Sequence, residues 1–229
     1  MLLAIDTSTR KSILALDDNG RRIVRQFEPR MTQRMIFAEL ASLLCEDLLD
    51  RLTGVVVGIG PGSFTGVKIG VMAAKTLAWS RGIPIVGVGS LDSVAAGTPS
   101  PSEPNSLLLV AVPSTRGEVY IRMYEFSDMQ WLPSGEIRDI SLSFPDNLEW
   151  LPDKPFLLSG EAAQQTSMVM GNIRKVDVVP EELRFPSADG LLSLARLKFD
   201  SGQTDNPMHL NPDYIRLSQP DRLSGRGTR

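Results

Sequence analysis

The sequence predicts an α/β fold with mixed sheets, made of two units that each combine strands with helices. The first unit runs in order as three strands, a helix, a strand, a helix and another strand. The second unit begins with strands and ends with helices. Such an order favours helices packed on the faces of a sheet, so each unit is expected to be a layered α/β domain.

Each element of the first unit follows from a local pattern. Asn19-Gly20 favours a tight hairpin between two strands. Thr32 is placed to cap a helix that has an apolar stripe at helical spacing. Residues 53–60 are nearly all apolar, as in a strand covered on both faces. The predicted elements are strands at 2–6, 12–18 and 21–27, a helix from 32 to about 49, a strand at 53–60, a helix from 63 or 65 to 80, a strand at 83–89 and a short helix from 90.

A segment rich in Pro, Ser and Thr at 98–105 is the best candidate for a domain junction. We therefore assign 1–98 to an N-terminal domain and 106–205 to a smaller second domain. Residues 206–229 form a C-terminal tail whose end is expected to be disordered. The predicted elements of the second domain are strands at 106–112, 117–126 and 154–160 and helices at 161–171 and 187–199.

Composition excludes several classes of protein. The chain has one cysteine, Cys45, and one histidine, His209, fewer than the common zinc sites need. No stretch approaches the roughly 20 apolar residues that span a bilayer, and the first residues lack a secretory pattern, so a cytoplasmic location is expected. The net charge of −3 argues against a strongly basic face, although a local basic patch remains open.

Two motifs have the chemistry of an anion site. Asp6 is followed by small hydroxyl residues at the end of the first strand, where carboxylate, hydroxyl and amide groups suit a phosphate or a metal-bound phosphate. The alternative is a polar turn that satisfies the end of the strand. The glycine loop at 58–70 joins a buried strand to a helix N-terminus, which favours either anion binding or a structural turn. The candidate nucleotide-binding residues are Asp6, Thr7, Ser8, Thr9, Gly60, Gly62, Ser63 and Gly66.

Several segments together resemble the TsaB family, also called YeaZ, over most of the chain. They are LAIDTST, TQR, GPGSFTGVKIG, IPIVGVGSLDSVA, RGEVYIRMY, PSADGLLSLA and PDYIR. The resemblance implies a two-domain, actin/hexokinase-like ATPase fold of the RNase H-like kind, in degenerate form. It also implies a non-catalytic subunit that pairs with TsaD, and with TsaE as a third protein, to make threonylcarbamoyladenosine next to the tRNA anticodon. Such a subunit meets tRNA only through the complex and pairs with a second copy of itself when TsaD is missing.

The sequence departs from this family in its second half. Ser114 stands where the family usually has aspartate, and Gly160-Glu161-Ala162 replaces a usual Gly-Asp-Gly. Residues 90–96 also lack the histidines with which the catalytic relative TsaD holds its metal. We therefore expect no catalytic residue, no metal and no tightly bound cofactor. Any nucleotide is expected to bind weakly to the candidate residues above, with the partner interface as an alternative place for ATP or ADP.

The two helices of the first domain have more apolar and small residues than one buried face needs, and we expect the excess to contact the partner. The candidate interface residues are Met35, Ile36, Leu40, Gly70, Ala73, Ala74 and Ala78. The alternative is that these residues belong to the core. The alternative functions are a small-molecule kinase of the same superfamily and a peptidase. A kinase needs a phosphate loop in each domain, and only the first domain offers one.

Overall fold

Two mixed β-sheets with helices on their faces form the computed structural model, which describes residues 1–28, 32–44, 46–115, 117–143, 148 and 150–215. The first sheet has the order β3-β2-β1-β4-β5. Neighbouring strands of the N-terminal meander, β1 with β2 and β2 with β3, are antiparallel, and β4 and β5 are added parallel to β1. The strands are β1 Leu2–Asp6, β2 Ser12–Asp18, β3 Arg21–Phe27, β4 Gly54–Gly58 and β5 Ile85–Val88.

The second sheet repeats this arrangement. Its order is β11-β10-β6-β7-β8, with β6, β7 and β8 antiparallel and with β10 and β11 added parallel to β6. A further strand, β9, pairs with β7. The strands are β6 Leu107–Pro113, β7 Glu118–Ser127, β8 Gln130–Pro133, β9 Arg138–Ser141, β10 Phe156–Ser159 and β11 Val176–Val178. The predicted α/β fold with mixed sheets is confirmed.

Helices separate and cover the two sheets. The helices are α1 Thr32–Leu43, α2 Glu46–Leu49, α3 Phe64–Arg81, α4 Ser90–Gly97, α5 Ala163–Met170 and α6 Ala188–Asp200, with a 3₁₀ turn at Glu181–Leu183. Helices α1 and α3 cover one face of the first sheet, and α6 covers the other. Helix α4 packs on α6 and on the second sheet, whose far face is covered by α5. The single helix predicted from 32 to 49 is therefore two helices.

The chain returns from the second sheet to the first near its C-terminal end. Helix α6, which the sequence assigned to the second domain, buries Leu191, Leu192 and Ala195 against the first sheet. The reason is that this sheet has an apolar second face, which α1 and α3 leave uncovered. Leu210 of the predicted tail also packs into the first core. Residues 216–229 lie outside the described residues, as does the prediction made for them.

No helix within the described residues combines the length and the apolar character that crossing a membrane requires.

Candidate functional site

The turn after β1 encloses the carboxylate of Asp6. This side chain is fully buried, and its Oδ1 accepts hydrogen bonds from the Ser8 amide at 2.7 Å and the Ser8 hydroxyl at 2.6 Å. Its Oδ2 accepts a hydrogen bond from the Ser90 hydroxyl at 2.9 Å. Burial raises the pKa of Asp6, although these hydrogen bonds oppose the shift by favouring the charged form. The carboxylate is therefore occupied by groups of its own chain.

The remaining hydroxyl groups of the turn are also engaged. The Thr7 hydroxyl donates to the carbonyl oxygen of Gly66 at 2.6 Å, and the Thr9 hydroxyl donates to the carbonyl oxygen of Lys11 at 3.0 Å. Each threonine is nearly inaccessible to solvent. These side chains stabilise the turn and its contact with α3, which is the structural role that the sequence left open beside anion binding.

The glycine loop lies directly against this turn. A Cβ atom added at Gly62 would lie 2.3 Å from the Ser8 carbonyl oxygen, and one added at Gly66 would lie 2.0 Å from that of Thr7. The Ser63 amide also donates to the Ser8 carbonyl at 2.7 Å. The glycines therefore allow two backbone segments to meet, because any side chain at these positions would force them apart.

The N-terminus of α3 satisfies one of its own amides. The Ser63 side chain accepts a hydrogen bond from the Gly66 amide at 3.3 Å, as an N-cap does. On the other side of the loop, the Gly60 amide donates to the Ser90 hydroxyl at 3.2 Å. The structure thus brings all eight predicted nucleotide-binding residues into one corner, where most of their polar groups bind one another. Binding of a nucleotide there stays a prediction.

Acidic groups from the second half face the same corner. The backbone amide of Arg10, next to the turn, donates to the carboxylate of Glu161 at 3.0 Å. The Arg10 guanidinium donates to Glu181 at 2.5 Å and lies over the ring of Phe185, with its central carbon 5.1 Å from the ring centroid. Carboxylates of the chain thus occupy donors that an anionic ligand would need. The sequence singled out Glu161 as a departure from the family, but it gave no sign that Arg10 is its partner.

The predicted interface residues are mostly core residues. Ile36, Ala74 and Ala78 are fully buried among the side chains that fill the space between α1, α3 and the first sheet. Gly70 and Ala73 are buried as well, and Leu40 packs against the same cluster. The side chain of Met35 lies outside the described part of the structure. The small residues let α3 approach its own sheet closely, so they are not available to a partner in this conformation.

The opposite side of α3 exposes large apolar residues. Phe64, Met72 and Trp79 are 59%, 59% and 66% exposed. They are eight and seven residues apart, which is close to two helical turns, so they share one face. Phe37 on α1 is 56% exposed. Lys68 lies on the same face of α3, with its ammonium 4.5 Å from the centroid of the Phe64 ring. We call Phe37, Phe64, Met72 and Trp79 the exposed apolar face.

Sequence reasoning missed this face because α3 is apolar on nearly all sides. The signal that separates its two sides is residue size, since the buried stripe is built of glycine, alanine and valine and the exposed one of phenylalanine, methionine and tryptophan. Among the described residues, no group of three or more His, Cys, Asp or Glu side chains is arranged to hold a metal ion.

Comparisons with known proteins agree with the resemblance to the TsaB family that the sequence motifs indicate. A family model described as TsaD, tRNA N6-adenosine threonylcarbamoyltransferase, matches residues 40–133. The tRNA threonylcarbamoyladenosine biosynthesis protein TsaB of Bacillus subtilis is 32% identical and covers 96% of this chain and 96% of its own length. The protein of the same description from Escherichia coli is 30% identical, with 94% of each chain covered.

Solved structures show the same fold. YeaZ from Pseudomonas aeruginosa superimposes with a TM-score of 0.74 at 23% identity, over 93% of this chain and 99% of that chain. A structure described as an uncharacterized protein with similarity to peptidase YEAZ, also from Pseudomonas aeruginosa, gives a TM-score of 0.77 at 24% identity, over 94% and 99%. The fold class predicted from the sequence is confirmed.

Proposed function

This chain belongs to the TsaB family of tRNA threonylcarbamoyladenosine biosynthesis proteins, and we propose that it acts there as a non-catalytic partner subunit of a TsaD-type threonylcarbamoyltransferase. The observation that carries the proposal is the exposed apolar face on α1 and α3. Large apolar residues gathered on one helix face cost free energy in water, and they mark surfaces that another protein covers.

The chemistry of the face suits a helical partner. Phe64, Met72 and Trp79 follow helical spacing, so a partner helix laid along α3 would meet all three. Tryptophan and other large aromatic residues are also the side chains that most often dominate binding energy at an interface. Without TsaD, the same face would be covered by a second copy of the chain, which gives a homodimer.

The mutual hydrogen bonds among the groups around Asp6 and Arg10 support a non-catalytic role. The Asp6 carboxylate accepts three hydrogen bonds from Ser8 and Ser90, and the donors around Arg10 are bound to Glu161 and Glu181. A catalytic carboxylate or a phosphate site would need such groups to be accessible to substrate. We therefore extend the proposal to nucleotides. The chain alone binds none tightly, and ATP or ADP, which the ATP-using TsaE handles, is bound at the partner interface.

The decisive experiment places charge on the exposed apolar face. The double variant Met72→Glu/Trp79→Glu is expected to bind the TsaD of the same organism at least tenfold more weakly, because two central apolar contacts are replaced by unpaired carboxylates. The matched control is Met168→Glu on α5, where the methionine is 68% exposed and lies in the second half. Ala74→Arg is unsuitable, since Ala74 is fully buried and an arginine there would disrupt the fold.

Binding is measured by pull-down and titration, and function by restoring threonylcarbamoyladenosine in cells that lack the native protein. Circular dichroism establishes that each variant is folded. The proposal fails if the folded double variant binds TsaD and restores the modification as well as the control does. Size-exclusion chromatography of the chain alone gives a second readout, with a dimer expected for the control and a monomer for the double variant.

A further inference from the structure

Positive charge is concentrated in one short segment of an otherwise acidic chain. Residues 21–34 contain five arginines and one glutamate, which gives this segment a net charge of +4 within a chain whose total is −3. All other residues together therefore carry −7. An overall acidic balance conceals a local basic region, and it is the local potential that acts on a charged partner.

The first seven residues of this segment form β3, an edge strand whose side chains are exposed on both faces. Arg21 and Arg25 pair opposite Asp18 and Leu14 of β2, so they lie on the side of the sheet that α1 and α3 cover. Within the described residues, neither arginine makes an ion pair or a side-chain hydrogen bond. Asp18 is already bound by Arg51. Both guanidinium groups therefore keep their charge available to a partner.

The positive charge on the other face of β3 is neutralised by acidic side chains. Arg22 points to the α6 side and forms ion pairs with Asp17, at 2.9 Å, and with Asp189. The Asp189 side chain is itself 79% exposed and adds negative charge to that side. In the part of the chain that the structure describes, the positive charge of β3 that has no acidic partner thus lies on one face.

We infer that this face of β3 binds the phosphate backbone of tRNA. Arg21 and Arg25 are four residues apart, which spans about 13 Å along a strand, so they reach different phosphate groups. The planar guanidinium matches a phosphate with two hydrogen bonds. Arg21 and Arg25 lie on the side of the sheet that is covered by α1 and α3, the helices that carry the exposed apolar face. The choice of tRNA as the nucleic acid rests on the proposed function.

An acidic peptide added to the edge of β3 fits this arrangement less well. An added strand presents its side chains alternately to both faces, so half of its acidic side chains would face the side to which Asp189 adds negative charge. A phosphate backbone that follows the face of Arg21 and Arg25 stays away from Asp189, and the one carboxylate beside it, Asp18, is already bound by Arg51. Charged residues on an edge strand also discourage the strand from pairing with other chains. If Arg21 and Arg25 serve only that purpose, replacing them leaves RNA binding unchanged.

The test is the double variant Arg21→Glu/Arg25→Glu, compared with Lys154→Glu/Lys175→Glu, which reverses two exposed lysines of the second half. Binding of fluorescently labelled tRNA transcript is measured by anisotropy over a series of salt concentrations. It is measured for the chain alone at low salt and for the chain with TsaD. The arginine variant is expected to bind roughly tenfold more weakly, with a salt slope smaller by about 1.5, because two phosphate contacts are lost.

Each outcome decides a separate point. Equal tRNA binding and equal salt slopes for the arginine variant, the control and the native chain overturn the inference. An arginine variant that fails to assemble with TsaD, but binds tRNA normally, assigns the strand to a protein contact and overturns it as well. If the native chain does not assemble with TsaD, the proposed function fails, and the measurements on the chain alone still decide whether β3 binds RNA.

Discussion

Replacing Gly70 by alanine is expected to destabilise the protein, although alanine is the better helix former. Gly70 lies inside α3 and is buried over the turn that follows β1. A Cβ atom added there would lie 2.3 Å from the hydroxyl oxygen of Thr7, which real contacts of this kind do not show. The Thr7 hydroxyl cannot simply yield, because it donates a buried hydrogen bond to the Gly66 carbonyl.

The magnitude follows from three opposing contributions. Helix propensity favours alanine over glycine by about 1 kcal/mol. Overpacking of a well-filled core costs about 1–3 kcal/mol, and displacing the Thr7 hydroxyl from its buried acceptor costs about 1 kcal/mol more. The expected result is a net loss of about 1–3 kcal/mol in the free energy of unfolding, opposite in sign to the effect of propensity alone.

Urea unfolding measures this loss for six proteins: the native chain, Thr7→Ala, and Gly70→Ala and Gly66→Ala, each alone and combined with Thr7→Ala. Because Thr7→Ala removes the clashing oxygen, Gly70→Ala should be neutral or stabilising in that background. Gly66→Ala provides the contrast, since its added Cβ would meet the Thr7 backbone oxygen, which Thr7→Ala leaves in place. A stabilising Gly70→Ala in the native chain, or equal relief of both glycine variants by Thr7→Ala, would refute the reasoning.

Three further predictions concern the same region and its surroundings. Because the pKa of Asp6 is raised in the folded state, its contribution to stability falls as pH rises from the unfolded pKa through the folded one. Asp6→Asn should remove this dependence when urea unfolding is measured in a pH series that rises from about pH 4, and parallel pH profiles would contradict it. Burial alone would raise the pKa of Asp17, but the hydrogen bonds from Arg22 and Arg196 outweigh burial and lower it. Asp17→Asn should therefore lower the free energy of unfolding by about 1–2 kcal/mol at neutral pH. This difference from the native chain should vanish as acid protonates the native carboxylate, and a difference that stays constant with pH would contradict the prediction. Calorimetric titration of the chain alone with magnesium and ATP should give a Kd weaker than about 1 μM, without turnover. Tighter binding would contradict the interpretation that the polar groups around Asp6 are occupied by one another.

Local patterns in the sequence predicted most strands and the turns between them. The Asn19-Gly20 hairpin forms as expected, with β2 ending just before it and β3 beginning just after it. The apolar run at 53–60 becomes a fully buried central strand, β4. The glycine loop joins that strand to a helix, and Gly82 ends this helix in a left-handed conformation. These features depend on nearby residues, so a single sequence contains the information needed to predict them.

The exposed apolar face could not be predicted in this way. A helix that is apolar on nearly all sides has no preferred face by periodicity, so the sequence alone could not tell the buried side of α3 from the exposed one. The sheet decides this, because only small residues such as Gly70 and Ala74 allow α3 to approach it closely. The large side chains of Met72 and Trp79 are then left facing solvent.

The sequence by itself determined the α/β class, the glycine loop and the resemblance to a family, since each rests on residues close together in the chain. The tertiary structure decided what those residues contact. It placed Glu161 on the amide of Arg10, and it returned α6 to the first sheet. Both are contacts between residues far apart in sequence, where the energy depends on burial and distance and no local spacing records it. For the same reason, only the folded chain distinguishes Arg22, which Asp17 and Asp189 neutralise, from Arg21 and Arg25, which form no ion pair within the described residues.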